Sequence, residues 1–278
     1  MSEVAEADWK LIADFVRERF GLSFEGARRD ILEARLRSRL CDLHLHTFRE
    51  YYHYLSFHPA RDAETSELSR RITNNETYFF REPHHFAFIL NQVIPPLHSV
   101  LRTRPLRVLS AGCSSGEEPY SLVVNLVDSG LELQGYRWEI DACDLNATRI
   151  EQARKALYEP GSLRVCDDEV RQRCFIRSGE RFQLKDRYRK GVNFFQSNLA
   201  TPTVGLGWAG YDVIMCRNML IYFHDDAFLS LIGHFSRLLL PGGYLLLGHS
   251  ESLVDRMPAF EPLFLNGTMA YRRTQEAT

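Results

Sequence analysis

Arg107-Val-Leu-Ser-Ala-Gly-Cys-Ser-Ser-Gly-Glu-Glu-Pro-Tyr-Ser121 is the stretch on which the reading of the fold turns. The apolar run from Leu106 to Leu109 has the length and branched content of a buried strand. Small residues from Ser110 to Gly116 follow, where a backbone can turn sharply and let a ligand approach. Glu117, Glu118 and Pro119 then open a helix, because carboxylates favour its positive end and proline fits a first turn. Strand, glycine turn and helix begin a nucleotide-type βαβ unit. The dinucleotide pattern G-x-G-x-x-G is absent, and two carboxylates stand where a pyrophosphate would need free helix N–H groups. A ligand carrying an ammonium and a sulfonium suits this turn better, and S-adenosylmethionine (AdoMet) has both. An acidic first turn that only offsets the helix dipole is the other reading, and this stretch alone leaves both open.

The chain has 278 residues, enough for one large domain or two modest ones. Hydrophobic residues make up 45% and charged residues 25%, the balance of a soluble globular protein. A net charge of −2 gives no basic footprint for nucleic acid. The six cysteines contain no C-x-x-C pair and read as reduced, mostly buried thiols. The acidic first residues lack the apolar core of a secretory signal, and no stretch is apolar for long enough to span a membrane. A cytoplasmic protein is expected.

Residues 5–74 read as four helices: Trp9 to Phe20, Glu25 to Leu43, one around Phe48 to Leu55, and Ala63 to Ile72. They form an all-α domain of their own over residues 1–74, followed by an α/β domain over 75–278. On the second helix, at about 100° per residue, Leu32, Leu36, Leu40 and Leu43 make one apolar stripe. Arg28, Arg35 and Arg39 fall along one edge of it, within about 40° of each other. They are either arginines snorkelling at the border of a buried face or a basic ridge that docks an acidic helix. The adjacent His84 and His85 should diverge on a helix, and no carboxylate or cysteine spacing completes a set, so no metal is expected.

Tyr136 to Ala142 is the second strand, and Asp144 just beyond it is either a ribose ligand or a helix N-cap. Residues 175–190 read as a small antiparallel excursion turning at Ser178-Gly179. Strands at Val192 to Phe195 and Tyr211 to Cys216 resume the alternation, followed by a helix from Asp225 to Leu240. Pro241-Gly-Gly243 reads as a turn before a strand from Tyr244 to Gly248. Two last strands meet across Asn266-Gly267, a hairpin signal. A doubly wound parallel sheet finished by an antiparallel hairpin is similar to class I AdoMet-dependent methyltransferases.

Four motifs stand in order: Asn75-Glu-Thr-Tyr-Phe-Phe-Arg-Glu82, Ser115-Gly-Glu-Glu-Pro-Tyr-Ser121, Cys216-Arg-Asn-Met-Leu-Ile-Tyr-Phe223 and Gly248-His-Ser-Glu251. Together they closely resemble the CheR-type chemotaxis receptor methyltransferases, over nearly the whole chain. The resemblance implies AdoMet-dependent O-methylation of glutamates on the acidic cytoplasmic helices of methyl-accepting chemoreceptors. It places cofactor contacts at Asn75, Thr77, Arg81, Glu118, Asp144, Asn198, Leu199, Arg217 and Asn218. Glu118 would face the methionine ammonium and Asp144 the ribose hydroxyls. Arg81 and Tyr222 would hold the incoming carboxylate, and Arg28, Arg35 and Arg39 would face the receptor. Some similar proteins grip a receptor tail with a longer glycine-containing turn in the β-excursion; the short turn here argues against that tethering. Two other functions compete: an AdoMet methyltransferase acting on a small carboxylate or another protein, and an AdoMet-sensing module without catalysis.

Overall fold

The computed structural model describes residues 6–24, 26–73, 76–201, 210–254 and 256–274. Four helices come first: α1 (Glu6–Phe20), α2 (Ala27–Asp42), α3 (Phe48–Phe57) and α4 (Arg61–Ile72). Their periodic apolar residues meet in one core that includes Trp9, Ile12, Val16, Leu36, Tyr51 and Leu68. On α2 the stripe holds as expected for Leu32, Leu36 and Leu40, which are buried, while Leu43 is partly exposed. Each fully buried side chain of this kind stabilises the bundle by roughly 1.5–3 kcal/mol.

Short helices α5 (Pro83–Phe88) and α6 (His98–Leu101) lead into β1 (Leu106–Ala111), and α7 (Glu117–Asp128) follows the glycine turn. Then come β2 (Trp138–Asp144), α8 (Ala147–Lys155), β3 (Leu157–Tyr158), α9 (Asp168–Cys174), β4 (Phe175–Ser178), β5 (Arg181–Leu184) and β6 (Val192–Gln196). The chain ends with β7 (Tyr211–Cys216), α10 (Asp225–Leu238), β8 (Leu239–Leu247), β9 (Phe260–Leu265) and β10 (Thr268–Arg273). Seven strands form one sheet in the order β6-β2-β1-β7-β8-β10-β9. The first five are parallel, and β10 runs antiparallel to both β8 and β9. The strand order reverses between β1 and β7, so a crevice opens at their carboxyl ends, where doubly wound sheets receive ligands. This is the class I AdoMet methyltransferase fold with an all-α N-terminal unit.

Three local expectations are corrected. Pro241-Gly-Gly243 is not a turn: β8 runs through it, with a register irregularity opposite Tyr211 and Val213. A bulge tolerates proline's missing donor, and Gly243 is needed because a Cβ there would stand 2.9 Å from the Leu240 carbonyl oxygen. The small antiparallel sheet has three strands in the order β3-β5-β4, and its first lies upstream at Leu157–Tyr158. Two residues carry no readable period. The turn joining β4 to β5 is Gly179-Glu180, with Ser178 paired to Arg181 and Gly179 at φ 62°.

Among the described residues, no helix is long and apolar enough to cross a membrane. All six cysteines are free, and all but Cys41 are buried.

Candidate active site

The glycine turn after β1 is shaped by contacts that leave no room for side chains. Gly112 has φ 81°, and a Cβ there would meet Met219 Sδ at 2.9 Å; Gly116 has φ 91° and lies as close to Ala153. The N–H groups of Gly112 and Cys113 both donate to the Cys143 carbonyl, fastening the turn to the end of β2. Asp144 completes the clamp, its two oxygens accepting from Ser114 N (2.9 Å) and Asn146 N (2.8 Å). Burial pushes its carboxyl above the usual range, although these N–H groups pull the other way. The helix N-cap of α8 is Asn146, not Asp144, so the second reading of Asp144 is set aside.

Glu118 projects from the first turn of α7 between two donors. Ser110 Oγ gives it a hydrogen bond of 2.7 Å, and Arg217 Nη1 reaches its other oxygen at 3.1 Å. Glu117, one position earlier, turns inward instead and accepts from Ser115 and Ser162 hydroxyls, tying the turn to the loop after β3. Of the two adjacent carboxylates, only Glu118 lines the cleft.

Arg217 stands at the end of β7 with a side chain only 2% exposed. Its guanidinium lies between Glu118 and Glu82, with Glu82 Oε2 at 3.0 and 3.1 Å, and it also donates to the Arg81 carbonyl. Burial alone would raise Glu82's pKa, but Arg217 and a hydrogen bond from His249 prevail and carry it down to about 2. Arg81 is partly exposed, donates to the Glu76 carbonyl (3.1 Å) and lies near the Tyr78 ring.

The loop after Arg217 hangs from one buried carboxylate. Glu251 accepts N–H bonds from Gly248 (2.7 Å), Asn218 (2.9 Å) and Ile221 (3.2 Å). Asn218 takes a left-handed φ of 58° here. Tyr222, one residue further on, is pinned from the helical unit: Ser23 N donates to its carbonyl (2.8 Å), and Leu22 bridges to Phe223. Arg28 of α2 lies 5.2 Å over the Tyr222 ring and donates to the Ile221 carbonyl at 2.5 Å.

One cleft is lined by Thr77, Arg81, Glu118, Asp144, Asn198, Leu199, Arg217, Asn218 and Tyr222. Thus nine of the ten expected cofactor and catalytic residues converge there, from the linker, α7 and the ends of β2, β6 and β7. Asn75 lies outside the described residues. Asn198 also bonds the Arg19 carbonyl at the end of α1 (2.8 Å). Ser114 Oγ, in the lining of the same cleft, is buried without a hydrogen-bond partner. That orphaned hydroxyl, together with the Glu118 and Asp144 carboxylates in the same lining, suits the polar groups of AdoMet.

The three arginines of α2 do not form one free ridge. Arg39 is spent inside the bundle: its Nε donates to Glu64, which is 3% exposed and also accepts from Tyr51 (2.7 Å). Arg28 sits at the cleft mouth. Arg35 is exposed, with one donor on the Arg71 carbonyl (2.9 Å). Helical spacing placed all three on one edge correctly, but it is silent on partners from α4.

Residue patterns also passed over Glu82, Ser110 and Glu251. Glu82 and Glu251 stand inside recognisable motifs, yet their partners lie 135 and about 30 residues away in sequence. The histidines are a further correction. Instead of diverging, His84 and His85 have ring centroids 4.4 Å apart.

The comparisons agree with this geometry. Residues 75–267 match the family described as "CheR methyltransferase, SAM binding domain", and residues 7–73 match "CheR methyltransferase, all-alpha domain". Among curated relatives, the probable biofilm formation methyltransferase WspC of Pseudomonas aeruginosa is 34% identical over 94% of this chain. The chain spans only 61% of that relative's length. Chemotaxis protein methyltransferase 2 of Vibrio cholerae is 34% identical over 90% of this chain and 87% of its own. The chemotaxis protein methyltransferase of Salmonella typhimurium is 30% identical over 98% and 92%. AdoMet is therefore the cofactor, and the chain belongs to the CheR methyltransferase family.

Proposed function

We propose that the protein esterifies glutamate side chains on the acidic cytoplasmic helices of a methyl-accepting chemoreceptor, releasing S-adenosylhomocysteine. The observation that carries this reading is the meeting of Arg81 and Tyr222 with the Glu118–Arg217 pair in one cleft. When bound, AdoMet supplies a methyl carbon made electrophilic by its sulfonium. Glu118 holds the ammonium and Asp144 the ribose hydroxyls, with Asn75, Thr77, Asn198, Leu199 and Asn218 completing the contacts.

A glutamate with an ordinary pKa of about 4.3 reaches the cleft already ionised, so no general base is needed. With AdoMet bound, a carboxylate oxygen would take the methyl group and the carbon–sulfur electron pair would remain on sulfur, leaving S-adenosylhomocysteine. The protein's part is alignment and exclusion of water, which can contribute roughly 7–11 kcal/mol. Arg81 pairs with the incoming carboxylate, and the Tyr222 hydroxyl orients it. Arg217 holds Glu118 in place from 3.1 Å.

Docking falls to Arg28 and Arg35, both exposed on α2, with Arg28 lying over the Tyr222 ring. Arg39 acts inside the bundle and is dropped from that role. A two-residue turn between β4 and β5 leaves no long loop to clamp a receptor tail, so docking through helix faces is the reading.

The test is mass spectrometry of receptor cytoplasmic fragments after incubation with isotopically labelled AdoMet. Label is expected on glutamates and absent where the same position is changed to glutamine. A protein that bound both AdoMet and receptor but left every glutamate unlabelled would be a sensing module instead.

A further inference from the structure

The start of α5 gathers more chemistry than methyl transfer requires. Glu82, its N-cap, has a left-handed backbone (φ 53°, ψ 64°). The donor atoms of Glu82, His84 and His85 lie within 4.8 Å of one another. His85 is 2% exposed, and its Nδ1 is buried with no hydrogen-bond partner, 3.4 Å from Glu82 Oε2. From β8's far end, His249 brings its Nδ1 to 3.0 Å from Glu82 Oε1. The His249 side chain is 72% exposed, so the cluster opens to solvent.

These spacings have a chemical meaning. Zinc–ligand bonds of about 2.0–2.2 Å in a tetrahedron set neighbouring donors roughly 3.2–3.6 Å apart. The 3.0 and 3.4 Å separations are already near that value, and a modest rotation of the half-buried His84 closes the rest. Arg217 brings a positive charge beside this place. It is held between Glu82 and Glu118, so the three groups together carry one negative charge. Imidazole nitrogens with a single carboxylate select zinc-like ions over magnesium and calcium, which prefer all-oxygen shells.

We propose that Glu82, His84 and His85, with His249 closing the set, bind a divalent transition ion of the zinc type. Because Glu82 also holds Arg217, the ion would sit one residue away from the cofactor cleft and share its central carboxylate.

The experiment is calorimetric titration of the full chain with Zn²⁺ in reducing buffer, repeated with Co²⁺ while its visible absorption is followed. One ion per chain is expected, with tetrahedral Co²⁺ bands and no competition from Mg²⁺ or Ca²⁺. His84→Ala and His249→Ala, neither of which empties the core, should each weaken Zn²⁺ at least tenfold with melting temperature of the metal-free protein unchanged. Cys41→Ser, removing the exposed thiol, should leave the affinity as it was. No Zn²⁺ binding by the wild type, undiminished binding by His84→Ala, or loss in Cys41→Ser would each overturn the assignment.

Discussion

At the residue scale, three side chains lining one cleft divide between the cofactor side and the substrate side of the proposed reaction. In the proposed reading Glu118 faces the ammonium of the cofactor. Glu118→Gln should weaken AdoMet about 10–100-fold, as expected for loss of a hydrogen bond to a charged group. Adenosine, lacking the ammonium, should lose far less, and calorimetry on both ligands measures the difference. Equal losses would move Glu118 from ligand binding to turn structure. In the same reading Arg81 and Tyr222 act on the substrate side. Tyr222→Phe keeps the ring under Arg28 and removes the hydroxyl, so kcat should fall about tenfold while AdoMet affinity holds. Arg81→Ala should cost about 10²–10³-fold in kcat, because the reacting carboxylate loses its positive partner. Single-turnover rates with saturating AdoMet separate these effects from binding.

At the element scale, the loop after β7 is held by the buried carboxylate of Glu251, which does not line the cleft. Glu251→Ala would strand the N–H groups of Gly248, Asn218 and Ile221, at about 1–3 kcal/mol for each left unsatisfied. Denaturant unfolding should show a loss of several kcal/mol, and AdoMet affinity should fall with it because Asn218 and Tyr222 drift. Unchanged stability would mean that water replaces the carboxylate. The helical unit has its own ionic latch. Glu67 on α4 accepts from Arg70 and Arg71, and Arg71 reaches Asp42 on α2 (3.0 Å). The Arg70 hydrogen bonds, joined by those of Arg71 against the opposing effect of burial, hold Glu67 at about 2 instead of 4.5. Between those values the folded chain binds fewer protons than the unfolded one. The contribution is therefore complete above about pH 4.5 and disappears as pH falls through about 2. The stability gap between wild type and Glu67→Gln should be constant at neutral pH and close over that window; a gap independent of pH would show that the latch is not electrostatic.

At the scale of the whole molecule, the helical unit and the sheet share a boundary at the cleft. Tyr222 and Phe223 pack against the helical core, and Arg28 crosses from α2 to the Tyr222 ring. The proposed docking and chemistry would therefore share that seam. Arg35→Glu should raise KM for receptor severalfold, leave AdoMet affinity unchanged, and flatten the rise of KM with salt that screening imposes on the wild type. Arg39→Glu is unsuitable for that test. It would set a second carboxylate against buried Glu64, and breaking such a pair costs about 3–5 kcal/mol. Receptor kinetics in a folded Arg35→Glu variant that match the wild type would return Arg35 to an ordinary surface role.

What the sequence determined by itself is whatever local periodicity and backbone sterics can dictate. The apolar run before Ser110, the left-handed glycines at 112 and 116, the acidic opening of α7 and the Asn266-Gly267 hairpin all follow from neighbours within a few residues. The order of its motifs also carried the family and the residues of the cleft. Tertiary structure alone decided which charges meet. A helical wheel places Arg39 beside Arg35, but only the packing of α4 supplies Glu64, 25 residues away, and turns one arginine inward. Glu82 finds Arg217 across 135 residues, and Glu251 reaches back about 30 to hold the loop that carries Tyr222. Periodicity names the face of an element, whereas the strength of a charge depends on its burial and on the partner the fold brings to it.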